Sequence, residues 1–159
     1  SIIKMVNKIY HLKIEEDSVE DFYIAIHTPL EAHQLAFYIN KQNKILLERK
    51  KKDLINIKRQ GSFHFFEWED LLSDRRCQLI SNKFIQESSN TLAKSNSLFK
   101  LPERNEVYLI PEFKQADFFI KSNYSEILKT IQIQLNNWPM VSMSYNISPK
   151  NKTLNKLNI

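Results

Sequence analysis

Four histidines, at positions 11, 27, 33 and 64, and one cysteine, Cys77, are the side chains best suited to hold a metal or attack a substrate. Their spacing argues against both roles. No two histidines stand three or four residues apart, the separation that stacks two ligands on one helix face, and His27 and His33 fall on different faces of a helix start. Cys77 lies in a segment read as a strand, next to Arg76. An adjacent guanidinium would lower its pKa, but no acid–base partner accompanies it, so an inert strand cysteine is expected. Glu112 and Asp117 are the nearest approach to a carboxylate pair. They flank a short connection without an evident cleft, so turn chemistry, edge protection or contact with a partner is expected of them rather than hydrolysis.

Composition closes off further chemistries. Gly61 is the single glycine, which excludes a glycine-rich phosphate loop, a dinucleotide fingerprint and an oxyanion hole built on a glycine run. One cysteine excludes a disulfide within the chain and a thiolate zinc cluster. No apolar run approaches the ~18–20 residues needed to cross a bilayer. Residues 1–6 are too soon interrupted by charge to serve as a secretory signal, so the cytoplasm is the expected compartment. No enzyme activity, cofactor, metal or membrane partner is expected.

Charge is uneven. Between Lys41 and Arg59 stand eight bases against two acids, and Lys44, Arg49, Lys50, Lys51, Lys52, Lys58 and Arg59 are the candidate phosphate contacts of a nucleic-acid-binding segment. A lysine-rich solvated edge is the plainer alternative. Acidic residues cluster at 15–21 and again at Glu67, Glu69, Asp70 and Asp74. Phe63, Phe65, Phe66 and Trp68 crowd one segment beside the basic run. Stacking on bases would suit such aromatics, but the adjacent acids repel phosphate, and core packing is the main expectation.

The elements that must position these residues are strand-rich. Alternation predicts a strand at 8–14, and the apolar run 22–27 predicts a buried one. Thr28-Pro29-Leu30-Glu31 reads as a helix start, with threonine as cap, proline at the first helical position and glutamate completing a capping box. Ala32, Leu35, Ala36 and Ile39 then mark the core-facing stripe of a helix over 29–42, ended by Asn43. A strand is expected at 44–50, another at 62–69, and its antiparallel partner at 75–84. Residues 86–105 are polar and read as a long mobile loop. Strands at 106–110 and 118–120 should form a hairpin with 112–115 near its tip. Asn123 or Ser125 should cap a helix carrying Tyr124, Ile127, Leu128, Ile131 and Leu135, stopped before Pro139. Val141, Met143, Tyr145 and Ile147 alternate with polar residues as a half-buried strand. One α+β domain over 8–147 results, an antiparallel sheet with two helices packed on one face, followed by a loosely ordered basic tail at 148–159. The outer blocks share a ββαβ order around a central hairpin, the pattern of a pseudo-repeat.

The run Val107-Tyr108-Leu109-Ile110-Pro111-Glu112-Phe113-Lys114-Gln115-Ala116-Asp117 resembles the signature of a family of small bacterial proteins, known by it as the IPExxVD family. The stretch from Ile24 to Glu31, Leu35-Ala36-Phe37, Lys50 to Leu54, Phe65 to Glu69 and Leu79-Ile80-Ser81-Asn82 agree with the same likeness. Ala116 departs from the signature valine, but still suits a buried strand position. The resemblance implies a cytoplasmic protein and carries over no activity, cofactor or catalytic residue.

Together these features predict a non-enzymatic cytoplasmic binding or scaffold module that recognises another protein through a sheet edge or an aromatic face. Phe65, Trp68, Tyr108, Glu112 and Asp117 are its candidate contacts. The alternative is an RNA-associated factor that uses the basic 44–59 segment.

Overall fold

The computed structural model describes residues 20–51, 54–56, 61–87 and 104–157 of the chain. The expected strand at 8–14, the acidic cluster up to residue 19, Lys52, Lys58, Arg59 and positions 88–103 of the expected loop lie outside the described residues.

The apolar run at 22–27 forms β1 (Phe22–His27), which has a neighbouring strand on each side and is covered on both faces of the sheet. Those neighbours are β9 (Phe118–Ser122) and β10 (Met143–Ile147), both antiparallel to it. Beyond β9 come β6 (Arg75–Ser81), β5 (Phe65–Asp70) and the short edge strand β2 (Glu48–Arg49). The resulting antiparallel sheet has the order β10-β1-β9-β6-β5-β2. Helix α1 (Ala32–Gln42) follows β1, and helix α2 (Ser125–Asn136) follows β9. Strands β1 and β6 run in the same direction with β9 between them, and β9 and β10 do so with β1 between them. Two β-α-β units are therefore interleaved, the ferredoxin-like arrangement within the α+β class. What the two halves share is this unit.

Side-chain alternation gives the sheet two apolar faces. Ile24, Ile26, Leu79, Phe118 and Ile120 pack under both helices, against Leu35, Ile39, Leu128, Ile131 and Leu135. Tyr23, Ala25, Ile80 and Phe119 face the other way and are covered by Phe63, Leu109, Ile110, Leu154 and Leu157. The sheet is thus a middle layer. The tail expected to be loosely ordered contributes to that second cover: residues Lys152–Leu157 form a 3-10 helix, and Leu154 and Leu157 are buried beneath it.

Several boundaries differ from expectation for tertiary reasons. Helix α1 starts at Ala32, not Pro29, and its capping box is made by Glu31 and Gln34. Thr28 stands ahead of the cap: its hydroxyl donates to the Met140 carbonyl at 2.7 Å and accepts the Leu30 N–H at 3.3 Å, so Thr28-Pro29-Leu30 is a turn leading into the helix. The expected strand at 44–50 pairs only at Glu48 and Arg49. Leu47 is held instead by reciprocal bonds with the Asn40 side chain, at 2.8 and 3.1 Å. The expected aromatic strand breaks at His64 into β4 (Gly61–Phe63), paired with β3 (Leu54–Asn56), and β5. Its partner breaks at Asn82 into β6 and β7 (Lys83–Glu87).

The expected hairpin between 106–110 and 118–120 does not form. Both edges of β9 are occupied by β1 and β6, so β8 (Arg104–Tyr108) pairs with β7 instead. That pairing makes Gln86, Glu87, Arg104 and Asn105 strand residues rather than loop. A 3-10 turn, Pro111–Phe113, carries the chain from β8 towards β9. At α2 the N-cap position is Tyr124. Asn123 is engaged elsewhere, accepting the Arg76 N–H at 2.8 Å and donating to the Asp74 carbonyl at 2.7 Å.

Candidate functional site

The break between β6 and β7 is organised by Asn82, which is fully buried. Its backbone N–H donates to the Asp117 carbonyl (2.9 Å), and its own carbonyl accepts the Leu109 N–H (2.8 Å). The side-chain amide donates to the carbonyls of Phe113 (2.9 Å) and Ala116 (2.8 Å), while Oδ1 accepts the Ile110 N–H (2.8 Å). One side chain therefore pairs the Ile110 N–H and the Ala116 carbonyl, and adds a second donor to the Phe113 carbonyl, which also accepts the Ala116 N–H at 2.9 Å. The turn spans residues 109–117.

Asp117 extends the same framework to α1. Its N–H donates to the Ile26 carbonyl at 2.8 Å, and its Oδ2 accepts the Thr28 N–H at 2.8 Å. The approach to α1 is thereby fixed over the end of β6. Between them opens a cleft of about 460 Å³. Leu30, Ala32, Phe84 and Phe118 supply apolar lining, and Glu31, His33, His64, Ser81, Lys83 and Asp117 supply polar groups. Its size lies within the range of small-ligand and side-chain pockets.

The charged groups at this cleft are mutually engaged. Lys83 Nζ stands 2.8 Å from Glu106 Oε1, and the Tyr108 hydroxyl donates to Glu106 Oε2 at 2.7 Å. The bond to Glu106 raises the Lys83 pKa, and Lys83 and Tyr108 together hold the Glu106 carboxyl below its usual range. Tyr108 is raised by its bond to Glu106. With Lys83 matched by Glu106, two carboxylates remain at the cleft: Asp117, and Glu31, whose Oε2 stands 3.3 Å from His33 Nδ1. Ser81, His64 and Asp117 are the residue types of a hydrolytic triad, but their side chains make no hydrogen bond to one another. Ser81 Oγ donates to the Lys83 carbonyl at 3.0 Å, and Asp117 serves the Thr28 amide. The arrangement offers a shaped, acidic, largely apolar recess.

The candidate contacts read from the sequence do not converge. Asp117 lines the cleft, and Tyr108 lies beside it through Glu106 and its pairing with Lys83. Phe65 is buried in the second core. Trp68 is half-buried against the helix-side core and borders two shallow depressions, one with Arg75 and Tyr124 and one with Leu46 and Lys50. Glu112 faces away on an exposed turn, 3.3 Å from Lys156 Nζ. The hairpin edge assigned to Glu112 and Asp117 is absent, since β9 lies inside the sheet.

Lys44, Arg49, Lys50 and Lys51 are exposed near the β2 edge. Acids share that surface: Glu48 lies in β2 itself, and Lys50 Nζ sits 3.2 Å from Glu67. His33, His64, Thr28, Ser81, Lys83 and Phe84 escaped the sequence reading as site residues. The available signals were the Thr-Pro turn and Asn82, whose meaning depends on contacts distant in sequence.

Cys77 is fully buried under the helices, and burial pushes its thiol up to about 12. The neighbouring arginines do not offset this. The His27 ring pairs with the Tyr145 hydroxyl at 3.1 Å. Among the described residues, no group of three or more His, Cys, Asp or Glu side chains could hold a metal ion, and no helix is long and apolar enough to cross a membrane. In comparison with known proteins, no family model, no curated protein and no solved structure matches this chain.

Proposed function

We propose that this chain is a non-enzymatic cytoplasmic binding module, and that its ligand is a segment of another protein seated in the cleft between the α1 approach and the β6–β7 break. The observation that carries this reading is the combination of an apolar recess of about 460 Å³ with an acidic rim. Leu30, Phe84 and Phe118 suit an apolar side chain, and Glu31 and Asp117 suit a basic residue next to it. The same acids repel phosphate, which favours a protein ligand over RNA at this site. The run ending at Asp117 holds one wall of the cleft through its bonds to Asn82 and through the bond of Asp117 to Thr28. The IPExxVD resemblance, with its bacterial setting, is kept as part of the proposal on the residues of that run alone.

The test is affinity capture from native lysate with and without ribonuclease, using the full chain and two variants. Leu30→Lys fills the recess with a charge that repels a basic partner, whereas Lys50→Glu with Lys51→Glu reverses the exposed bases. A ribonuclease-resistant partner lost with Leu30→Lys and retained by the double reversal is expected. Retention by Leu30→Lys overturns the cleft as the site. Loss on ribonuclease treatment, together with loss in the double reversal, supports the RNA reading instead.

A further inference from the structure

Two histidines line the cleft: His33 in the first turn of α1 and His64 at the break between β4 and β5. Histidine is the side chain that ordinarily changes charge between about pH 5 and pH 8. The other charges at the cleft hold steady across that window. The approach to α1 supplies Glu31, the turn before β9 supplies Asp117, and β7 supplies Lys83, with Glu106 and Tyr108 of β8 bonded behind it. Carboxylates ordinarily titrate below the window. The bond between Lys83 and Glu106 raises the one and lowers the other, so that pair stays ionised and its charges cancel. Two carboxylates, Glu31 and Asp117, then share the lining with two imidazoles among the described residues.

The balance between them follows the protons on the imidazoles. His33 Nδ1 stands 3.3 Å from Glu31 Oε2. A neutral ring leaves the Glu31 charge to a cation in the recess, whereas an imidazolium pairs with it and withdraws it. A protonated His64 adds a second positive charge to the lining and offsets Asp117. Both histidines are exposed, so solvent screens these charges and the change is several-fold rather than absolute. We infer that the cleft holds a basic segment while His33 and His64 are neutral and releases it as they gain protons. The inference rests on the proposed reading of the cleft as the seat of a basic protein segment.

The probe is the peptide acetyl-Arg-Leu-Arg-amide, whose own charge is constant across the window. It is titrated into the isotope-labelled full chain at constant ionic strength, near about pH 7.5 and about pH 5.5, with the amides of Thr28, Leu30 and His64 as reporters. The dissociation constant should rise about fivefold or more on acidification. The double variant His33→Asn with His64→Asn, at two exposed positions, should shrink that ratio below about twofold. A ratio near one in the unmodified chain, or an undiminished ratio in the double variant, overturns the inference and leaves the cleft reading standing. A peptide that binds at neither pH, or that binds Leu30→Lys as well as the unmodified chain, overturns the cleft reading and the inference with it.

Discussion

The Asp117 carboxylate accepts the backbone N–H of Thr28 at 2.8 Å, joining positions 89 residues apart. Through this bond the turn before β9 determines how the chain leaves β1 and where α1 begins. Replacing Asp117 with alanine leaves the Thr28 amide without its acceptor and should cost ~1–3 kcal/mol. Asp117→Asn keeps a side-chain oxygen in place and should recover most of the loss. Urea denaturation of the two variants measures the difference.

Asn82 is a harsher test of the same framework. Asn82→Ala removes the side-chain partner of the Ile110 N–H and the Ala116 carbonyl, while the Phe113 carbonyl keeps the Ala116 N–H. With ~1–3 kcal/mol for each of the two orphaned groups, a total loss above ~2 kcal/mol is expected. Hydrogen exchange should show the damage concentrated at Ile110, whose amide bonds to Oδ1, ahead of the helices.

Alkaline conditions should weaken the fold through Cys77. Its thiol ordinarily titrates near 9.0 and is pushed up to about 12 by burial. Between those values the unfolded chain binds fewer protons than the folded one, so unfolding is favoured as pH rises. The stabilising contribution is complete below 9.0 and is lost through about 12, with a slope of up to ~1.4 kcal/mol per pH unit for one proton. Burial raises Tyr23 and Tyr145 in the same sense. Urea midpoints measured from about pH 8 to about pH 10.5 should decline, and Cys77→Ala should decline less steeply. Ellman's reagent should leave the native thiol unmodified near neutral pH and react with it in urea.

The last described residues should matter more for stability than their polar composition suggests. Leu157 is fully buried, and its carbonyl accepts a bond at 3.1 Å from Lys121, itself buried and 3.6 Å from Asp21. Leu157→Ala should cost ~2–5 kcal/mol, the usual range for a core leucine. Lys150→Ala, at an exposed position, should change stability by less than ~0.5 kcal/mol. Thermal denaturation of both variants checks this.

Much of the fold was legible because local pattern and tertiary environment agree. The stripe Ala32, Leu35, Ala36 and Ile39 is buried as its spacing predicts, and the apolar run at 22–27 is a central strand. The α+β class and the two helices on one face follow from the same patterns. Misreadings arose where a side chain had a distant partner. Thr28 reads as a helix cap, but its hydroxyl bridges the distant Met140 carbonyl and the Leu30 N–H, ahead of a helix whose N-cap is Glu31. Residues 106–110 and 118–120 look like a hairpin until β1 and β6 claim both edges of β9. The tail reads as polar because its two buried leucines, Leu154 and Leu157, are three apart among lysines and asparagines. The cleft was least legible, since its walls come from four separated segments and no local spacing announces their meeting.

The central place of β9 has a consequence during synthesis. When residue 87 has left the ribosome, neither β1 nor β6 has met the strand that will separate them, and β10 has yet to be made. β1 must therefore wait with two open edges until residues 118–147 emerge, a period in which a nascent chain is open to mispairing and to chaperone capture. Fragments ending before β9 should fail to fold, because the strand that joins β1 to β6 is supplied only after both.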